Sequence, residues 1–165
     1  IKESDKLRNQ MSKYINEYSI TDNVARLFPA GTVFIVTIGA TIGKVGYLNE
    51  SASSNQQITA VVVYKNKASG KYIAYYLNSI ESFLRGIAPN TTLPIINQQE
   101  VGYINIVIPP YKEQEQIVSF IKDFTQKYNL LIAKTNKAIE YLKEYRTALI
   151  SAAVTGKIDV RGEVS

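Results

Sequence analysis

Residues 111–155 read YKEQEQIVSFIKDFTQKYNLLIAKTNKAIEYLKEYRTALISAAVT, a run with no glycine and no proline. Within it Ile117, Ile121, Phe124, Tyr128, Leu131, Thr135, Ala138, Leu142, Tyr145 and Leu149 alternate spacings of four and three. All but Thr135 are apolar or small, so the run carries a sustained heptad seam, widened by Ile132 and Ile139. At 1.5 Å per residue, roughly 40 residues make a rod of about 60 Å. No other segment is long enough to cover it, and an exposed apolar seam of that length invites aggregation. The pattern predicts a coiled-coil helix that pairs with a helix of another chain, or of a further part of a longer parent protein. Packing of the seam on the chain's own globular part would cover only one end.

N-terminal to Pro109-Pro110 the composition changes. All glycines except Gly156 and Gly162 lie there, and all five prolines if the pair is included. Residues 1–110 read as a mixed α/β (α+β) domain. Asp22 is placed to cap a short helix over Asn23–Phe28, closed by Pro29-Ala30-Gly31. Thr32–Ile38 (TVFIVTI), Lys44–Leu48 and Gln57–Tyr64 (QITAVVVY) read as strands, rich in β-branched residues. Gly39 and Gly43 mark a turn, and Ser51–Asn55 a polar loop. Tyr72, Ile73, Tyr76, Leu77, Ile80, Phe83 and Leu84 follow helical spacing up to Gly86. After a polar loop over Ile87–Pro94, Asn97 caps a short turn over Gln98–Val101, and Tyr103–Ile108 (YINIVI) reads as a last strand. The expected organisation is a globular domain over 1–110, a long helix over 111–156 and a tail over 157–165.

The chain has 165 residues and no cysteine, histidine or tryptophan. These absences remove disulfides, thiol nucleophiles, serine–histidine–acid triads and histidine or cysteine metal sites. An enzyme would have to use carboxylates, lysines, tyrosines or hydroxyls alone. The net charge of +5 is spread out, with ten basic and seven acidic residues before Pro110 and nine and seven after it. The sequence pI of about 9.3 is one footprint of nucleic-acid binding. The sequence shows no signal-peptide order and no apolar run approaching the roughly 20 residues of a membrane span; the expected compartment is the cytoplasm. Without a secretory route the glycosylation triplets Asn49-Glu-Ser51 and Asn90-Thr-Thr92 carry no meaning.

Several motifs fail on inspection. Gly39-Ala-Thr-Ile-Gly43-Lys44 has three residues between its glycines where a phosphate-binding loop has four, and Val45 follows where that loop has Ser or Thr. Ile108-Pro-Pro-Tyr111 resembles the Pro-Pro-Tyr motif of amino-methyltransferases, but isoleucine has no acceptor for an amine. No Asp/Glu-x-Lys triplet occurs to serve a nuclease metal centre, and the acids before Pro110 are sparse. What remains is a set of polar loops with donors and acceptors suited to DNA. They offer Thr37, Thr41 and Lys44; Ser53, Ser54, Asn55, Gln56 and Gln57; and Arg85, Asn90, Thr91 and Thr92. Asn and Gln pair with adenine, Arg and Lys with guanine, and Ser/Thr with bases or phosphates. The same residue types also make turns.

Three stretches, Gly31-Thr-Val-Phe-Ile-Val-Thr-Ile-Gly39, Ile42-Gly-Lys-Val-Gly-Tyr47 and Asn55-Gln-Gln-Ile58, resemble the target-recognition domain of type I restriction–modification specificity subunits. Tyr72-Ile-Ala-Tyr-Tyr-Leu77 is similar to its helix after the central strands. Asn90-Thr-Thr92 with Pro94-Ile95 is similar to its polar loop. Ile106–Pro110 with Glu113-Gln114 and Ile117 is similar to the start of its long helix. Arg146-Thr-Ala-Leu-Ile-Ser-Ala-Ala-Val-Thr-Gly156-Lys-Ile-Asp159 is similar to that helix's end. The resemblance covers about residues 20 to 160. It implies a subunit without chemistry of its own. Two such domains read a bipartite DNA sequence and are held apart by two antiparallel helices. The subunit docks methylation subunits that use S-adenosylmethionine and restriction subunits that use ATP and Mg. One domain and one helix are present, about half a subunit, and the opening strand and helix usual in the family are not matched.

On this reading the expected DNA contacts are Thr37, Thr41, Lys44, Ser54, Asn55, Gln56, Gln57, Arg85, Asn90, Thr91 and Thr92. The chain itself is expected to hold no metal or cofactor. The seam is expected to pair with a second helix, in a two-fold dimer when the chain is alone, and the Ala148–Gly156 end to help dock the methylation subunit. The competing reading is a non-catalytic adaptor whose coiled coil is its function; a histidine-free carboxylate enzyme is a third.

Overall fold

The computed structural model describes residues 26–88 and 92–161. Its elements are β1 (Leu27–Phe28), β2 (Val33–Val36), β3 (Val45–Tyr47), β4 (Ala52–Ser53), β5 (Ile58–Val61), α1 (Gly70–Ser79), α2 (Glu81–Ile87), α3 (Gln98–Gly102) and α4 (Tyr111–Val154). An α/β region is thus followed by one long helix, the expected fold class. One compact unit ends at Phe120 and a second begins at Ile121.

In the first unit β2 is the centre of an antiparallel sheet ordered β3-β2-β5. Phe34 pairs with Gly46 and Ala60, and Ile35 with Val45 and Thr59. Successive side chains of a strand point to opposite faces. Val33 and Ile35 accordingly turn to one face and are fully buried with Tyr72, Ile73, Ala74 and Leu77 of α1, Leu84 of α2, and Ile96. Phe34 turns to the other face, where the Phe28 ring meets it edge-on at 5.5 Å. Phe28 is carried there by β1, which pairs with β4 in a two-stranded ladder.

Four local expectations change. Leu27–Phe28 forms a strand, not the end of a helix, because its backbone pairs with Ala52–Ser53; residues 22–25 of the expected helix lie outside the described residues. The same pairing makes a strand of part of the expected Ser51–Asn55 loop. The helix expected across Tyr72–Leu84 is two helices, broken at Ile80 (φ −101, ψ 17). The break leaves the buried face continuous, since Leu77 and Leu84 both remain in the core. Tyr103–Ile108 has no ladder partner among the described residues. Ile104 and Ile106 turn towards the core, as in a strand. The flanking carbonyls instead accept from α1: Tyr72 Oη donates to the Val107 carbonyl at 2.8 Å and Tyr76 Oη to the Asn105 carbonyl at 3.3 Å. Burial, with Tyr76 and Glu113 nearby, holds the Tyr72 phenol above its ordinary pKa and so favours the protonated form that donates.

The first turns of α4 belong to this unit. Gln114 is fully buried. Its Oε1 accepts from the Ser69 backbone N–H at 2.8 Å, and its Nε2 donates to the Pro109 carbonyl at 2.8 Å. Ser69 is the N-cap of α1 but makes no side-chain cap bond. Gln114 therefore ties the start of α4 to the start of α1, and Ile117 and Val118 pack against the core beside it. Gln114→Leu is expected to strand both backbone groups and cost about 2–3 kcal/mol, read as a lower urea midpoint. An unchanged midpoint would contradict this role.

The second unit is the rest of α4 and the chain up to residue 161. The helix closes in a Schellman arrangement. Gly156 has φ +73, Lys157 N–H donates to the Ala152 carbonyl at 2.8 Å and Gly156 N–H to that of Ala153 at 3.2 Å. No helix among the described residues is long and apolar enough to cross a membrane.

Candidate nucleic-acid interface

Two of the loops expected to meet DNA, and the segment that ends the third, converge at one end of the three-stranded sheet. Because the sheet is antiparallel, the end of β2 lies beside the start of both β3 and β5; Val36 pairs with Ile58 and its N–H donates to the Lys44 carbonyl at 2.9 Å. The turn after β2, the loop before β5 and the start of β3 are therefore neighbours. The segment after Thr92 joins them. Ile38 bridges Ile95, Gly39 N–H donates to the Pro94 carbonyl, and Ile96 N–H to the Thr37 carbonyl.

Thr37 sits at the junction. Its side chain is buried, its N–H and Oγ1 reach the Gln57 carbonyl at 2.9 and 3.3 Å, and its Oγ1 lies 3.2 Å from Thr59 Oγ1. The hydroxyl is committed inside the protein, so Thr37 positions the loops instead of presenting a surface donor. The turn that follows is shaped by Gly39 (φ +91) and Gly43 (φ +85). It leads into β3, unlike a phosphate-binding loop, which opens a helix. Gly43 rests on α2; a Cβ there would lie 3.0 Å from the Glu81 carbonyl oxygen.

Thr41 and Lys44 are exposed on this turn. Asn55, Gln56 and Gln57 are exposed and Ser54 is half-buried. Asn55 Oδ1 accepts from Gln57 N–H at 3.1 Å, an Asx turn that fixes the loop. Thr92 is exposed, and Asn90 and Thr91 lie outside the described residues. Arg85 is on α2, its Nη2 2.6 Å from Glu81 Oε1. Of the two cations expected to meet DNA, Arg85 is thus engaged in an ion pair on its own helix. Among the described residues no group of His, Cys, Asp or Glu is arranged to hold a metal.

The sequence reading did not single out Arg26, Asn97 or Gln98 as contacts. With Gln56 they line a cleft of about 340 Å³ whose inner surface includes Thr37, Ile58 and Thr59. Arg26 was hidden because residues 23–28 read as a helix. Read as an extended pair, Arg26 and Phe28 fall on one side of the chain. Asn97 is occupied in a capping box: its Oδ1 accepts from Glu100 N–H, and Glu100 Oε2 accepts from Asn97 N–H.

The seam residues divide between the units. Ile117 packs against the globular core and Ile121 is half-buried. Phe124, Tyr128, Leu131, Ala138, Leu142, Tyr145 and Leu149 are exposed along the helix, with the Phe124 and Tyr128 rings 4.7 Å apart.

A small α/β domain that gathers polar loops at one sheet end and continues into a long helix defines the class of module. The particular family follows from comparison with known proteins. The model for the type I restriction modification DNA specificity domain matches residues 3–141, and the chain belongs to that family. The resemblance read from the sequence is borne out. The MjaVIII specificity subunit of a type I restriction enzyme from Methanocaldococcus jannaschii is 30% identical over 127 residues, covering 76% of this chain and 26% of that protein. The EcoBI specificity subunit of Escherichia coli is 21% identical over 112 residues, covering 68% and 24%. Two solved structures share the fold. One is a chain from a study of complex assembly and conformational transition of a type I R-M system (TM-score 0.65, 21% identity, 78% of this chain and 31% of that one). The other is the S subunit of a type I system from M. genitalium (TM-score 0.53, 19% identity, 64% and 28%). The chain spans about a quarter of the length of these curated relatives, less than the half-subunit expected from the sequence.

Proposed function

We propose that the chain reads one half of a bipartite DNA target for a type I restriction–modification complex. The observation that carries this reading is the convergence of the turn after β2, the polar loop before β5 and the segment that follows Thr92 at one end of the β3-β2-β5 sheet in a domain of the specificity family. Thr41, Lys44, Asn55, Gln56, Gln57 and Thr92 all reach the surface there. The helix pairs its seam with a second such helix and acts as the spacer between two readers. The outer faces of the helix, with the Ala148–Gly156 end, dock the methylation subunit. Chemistry is left to partners: methylation subunits with S-adenosylmethionine, and restriction subunits with ATP and Mg. The assembly works on cytoplasmic DNA.

Duplex binding followed against salt tests the reading. For an interface that holds phosphates, the logarithm of the affinity falls linearly with the logarithm of the salt concentration. Lys44 is the exposed cation on the turn, placed for a phosphate. Lys44→Ala is expected to weaken binding about equally for all sequences and to lower the salt slope by about 1. An unchanged slope would remove Lys44 from the interface. Arg85→Ala is expected to have the smaller effect, because its guanidinium is shared with Glu81.

A further inference from the structure

The cleft where β1, β5 and the Ile95–Gln98 segment meet points to a more specific assignment than the loops do. Its volume, about 340 Å³, is at the lower end of small-ligand pockets. Ile38, Ile58 and Ile95 give it apolar walls, and Arg26, Gln56 and Gln98 bring long polar side chains to it; those three residues are exposed. The Arg26 guanidinium carbon lies 5.2 Å from the centroid of the Phe28 ring, and Phe28 is itself held edge-on against Phe34 in the sheet. A cation–π contact with an anchored ring restricts the guanidinium before any ligand arrives, so less freedom is lost on binding.

A guanidinium presents two parallel donors in a fixed fork. Of the four bases, only guanine offers two adjacent acceptors, O6 and N7, on its major-groove edge. Arg26 also sits among the structures that order the loops: Thr37, Gln56 and the Ile95–Ile96 segment line the same cleft. We infer that Arg26 is a guanine-reading residue and that this cleft receives the edge of a G·C pair in the half-site. The inference rests on the proposed DNA-reading function and adds to it one base identity and one residue.

The test is selection from a randomised duplex pool by the full chain together with a methylation subunit. The wild type is expected to enrich a half-site with a fixed guanine. Arg26→Ala is expected to enrich the same half-site with that position relaxed, preference for guanine there falling about 10- to 100-fold. Arg26→Lys, which keeps donors but loses the planar fork, is expected to fall between the wild type and Arg26→Ala. Arg26→Lys keeps the charge and most of the stem, and its unfolding midpoint checks that the domain remains folded. Substituting 7-deazaguanine, which lacks the N7 acceptor, is expected to weaken the wild type and leave Arg26→Ala unaffected. A guanine preference intact in both variants overturns the inference while leaving DNA reading in place. So does an affinity loss equal for all sequences, which marks a phosphate contact. A wild type that enriches no sequence overturns the DNA-reading function, and the inference with it.

Discussion

Replacing Leu131 with glutamate is expected to turn a self-associated chain into a monomer. Leu131 lies in the middle of the seam and is 58% exposed in the single chain. Its neighbours along the stripe, Tyr128, Ile132 and Leu142, are exposed as well. A helix with this much uncovered apolar surface gains by pairing. Each leucine buried in the pair contributes about 1.5–3 kcal/mol, and two-fold symmetry counts it twice. Glutamate removes that gain and adds a carboxylate that must be desolvated or exposed. The dissociation constant is expected to rise by about 100-fold or more, each 1.4 kcal/mol being tenfold. Light scattering at micromolar concentration is expected to give twice 18.4 kDa for the wild type and the monomer mass for Leu131→Glu. The same charge at Asn129, off the seam by heptad spacing, is expected to leave the mass unchanged. A wild type that is monomeric under these conditions would contradict the pairing.

A loss of stability as large as that of Gln114→Leu is expected at Gly70. This glycine opens α1, where an alanine ordinarily favours the helix. Here a Cβ would stand 2.4 Å from the Gly31 carbonyl oxygen and 3.0 Å from Tyr47 Cε2. The Gly31 carbonyl cannot swing away cheaply. Gly31 occupies a left-handed conformation (φ +93), and its N–H is bonded to the Leu48 carbonyl at 2.8 Å. The start of α1 must therefore move off the sheet that it packs on. Gly70→Ala is expected to cost about 2–3 kcal/mol, the upper part of the overpacking range, and to lower the melting temperature by about 5–10 °C. Gly86→Ala in α2 is the control: its Cβ meets nothing within 4 Å, so helix propensity alone predicts a slight gain. A Gly70→Ala protein as stable as the wild type would mean that α1 does not approach Gly31 this closely.

Elements with a strong local signal were legible in the sequence. TVFIVTI has enough β-branched residues to declare a central strand, and the heptad run declares α4. Asn97 with Glu100 three residues on spells its own capping box. What could not be read was set by tertiary pairing. Leu27–Phe28 and Ala52–Ser53 are too short to carry a period, and each becomes a strand only because the other lies beside it. YINIVI alternates like a strand, yet its carbonyls face tyrosine hydroxyls of α1, an arrangement invisible from either segment alone. Gln114 was visible only as part of a family resemblance; its burial and its two bonds to Ser69 and Pro109 explain why an amide suits that position.

The candidate site was legible as loops but not as a surface. Exposure separates Thr41 and Lys44 from Thr37, and nothing in the local sequence distinguishes a hydroxyl that bonds the Gln57 carbonyl from one that meets solvent. Arg26 escaped because the segment before Pro29 read as helical. The convergence of the loops follows from antiparallel register, which the sequence does not print.

Hydroxyl-radical footprinting of the chain with a methylation subunit, on a duplex that it selects, tests the central claim most directly. Two protected blocks related by a dyad and separated by unprotected bases are predicted, one block for each reader at the ends of paired helices. Absence of protection at low salt would contradict DNA reading and favour a coiled-coil adaptor.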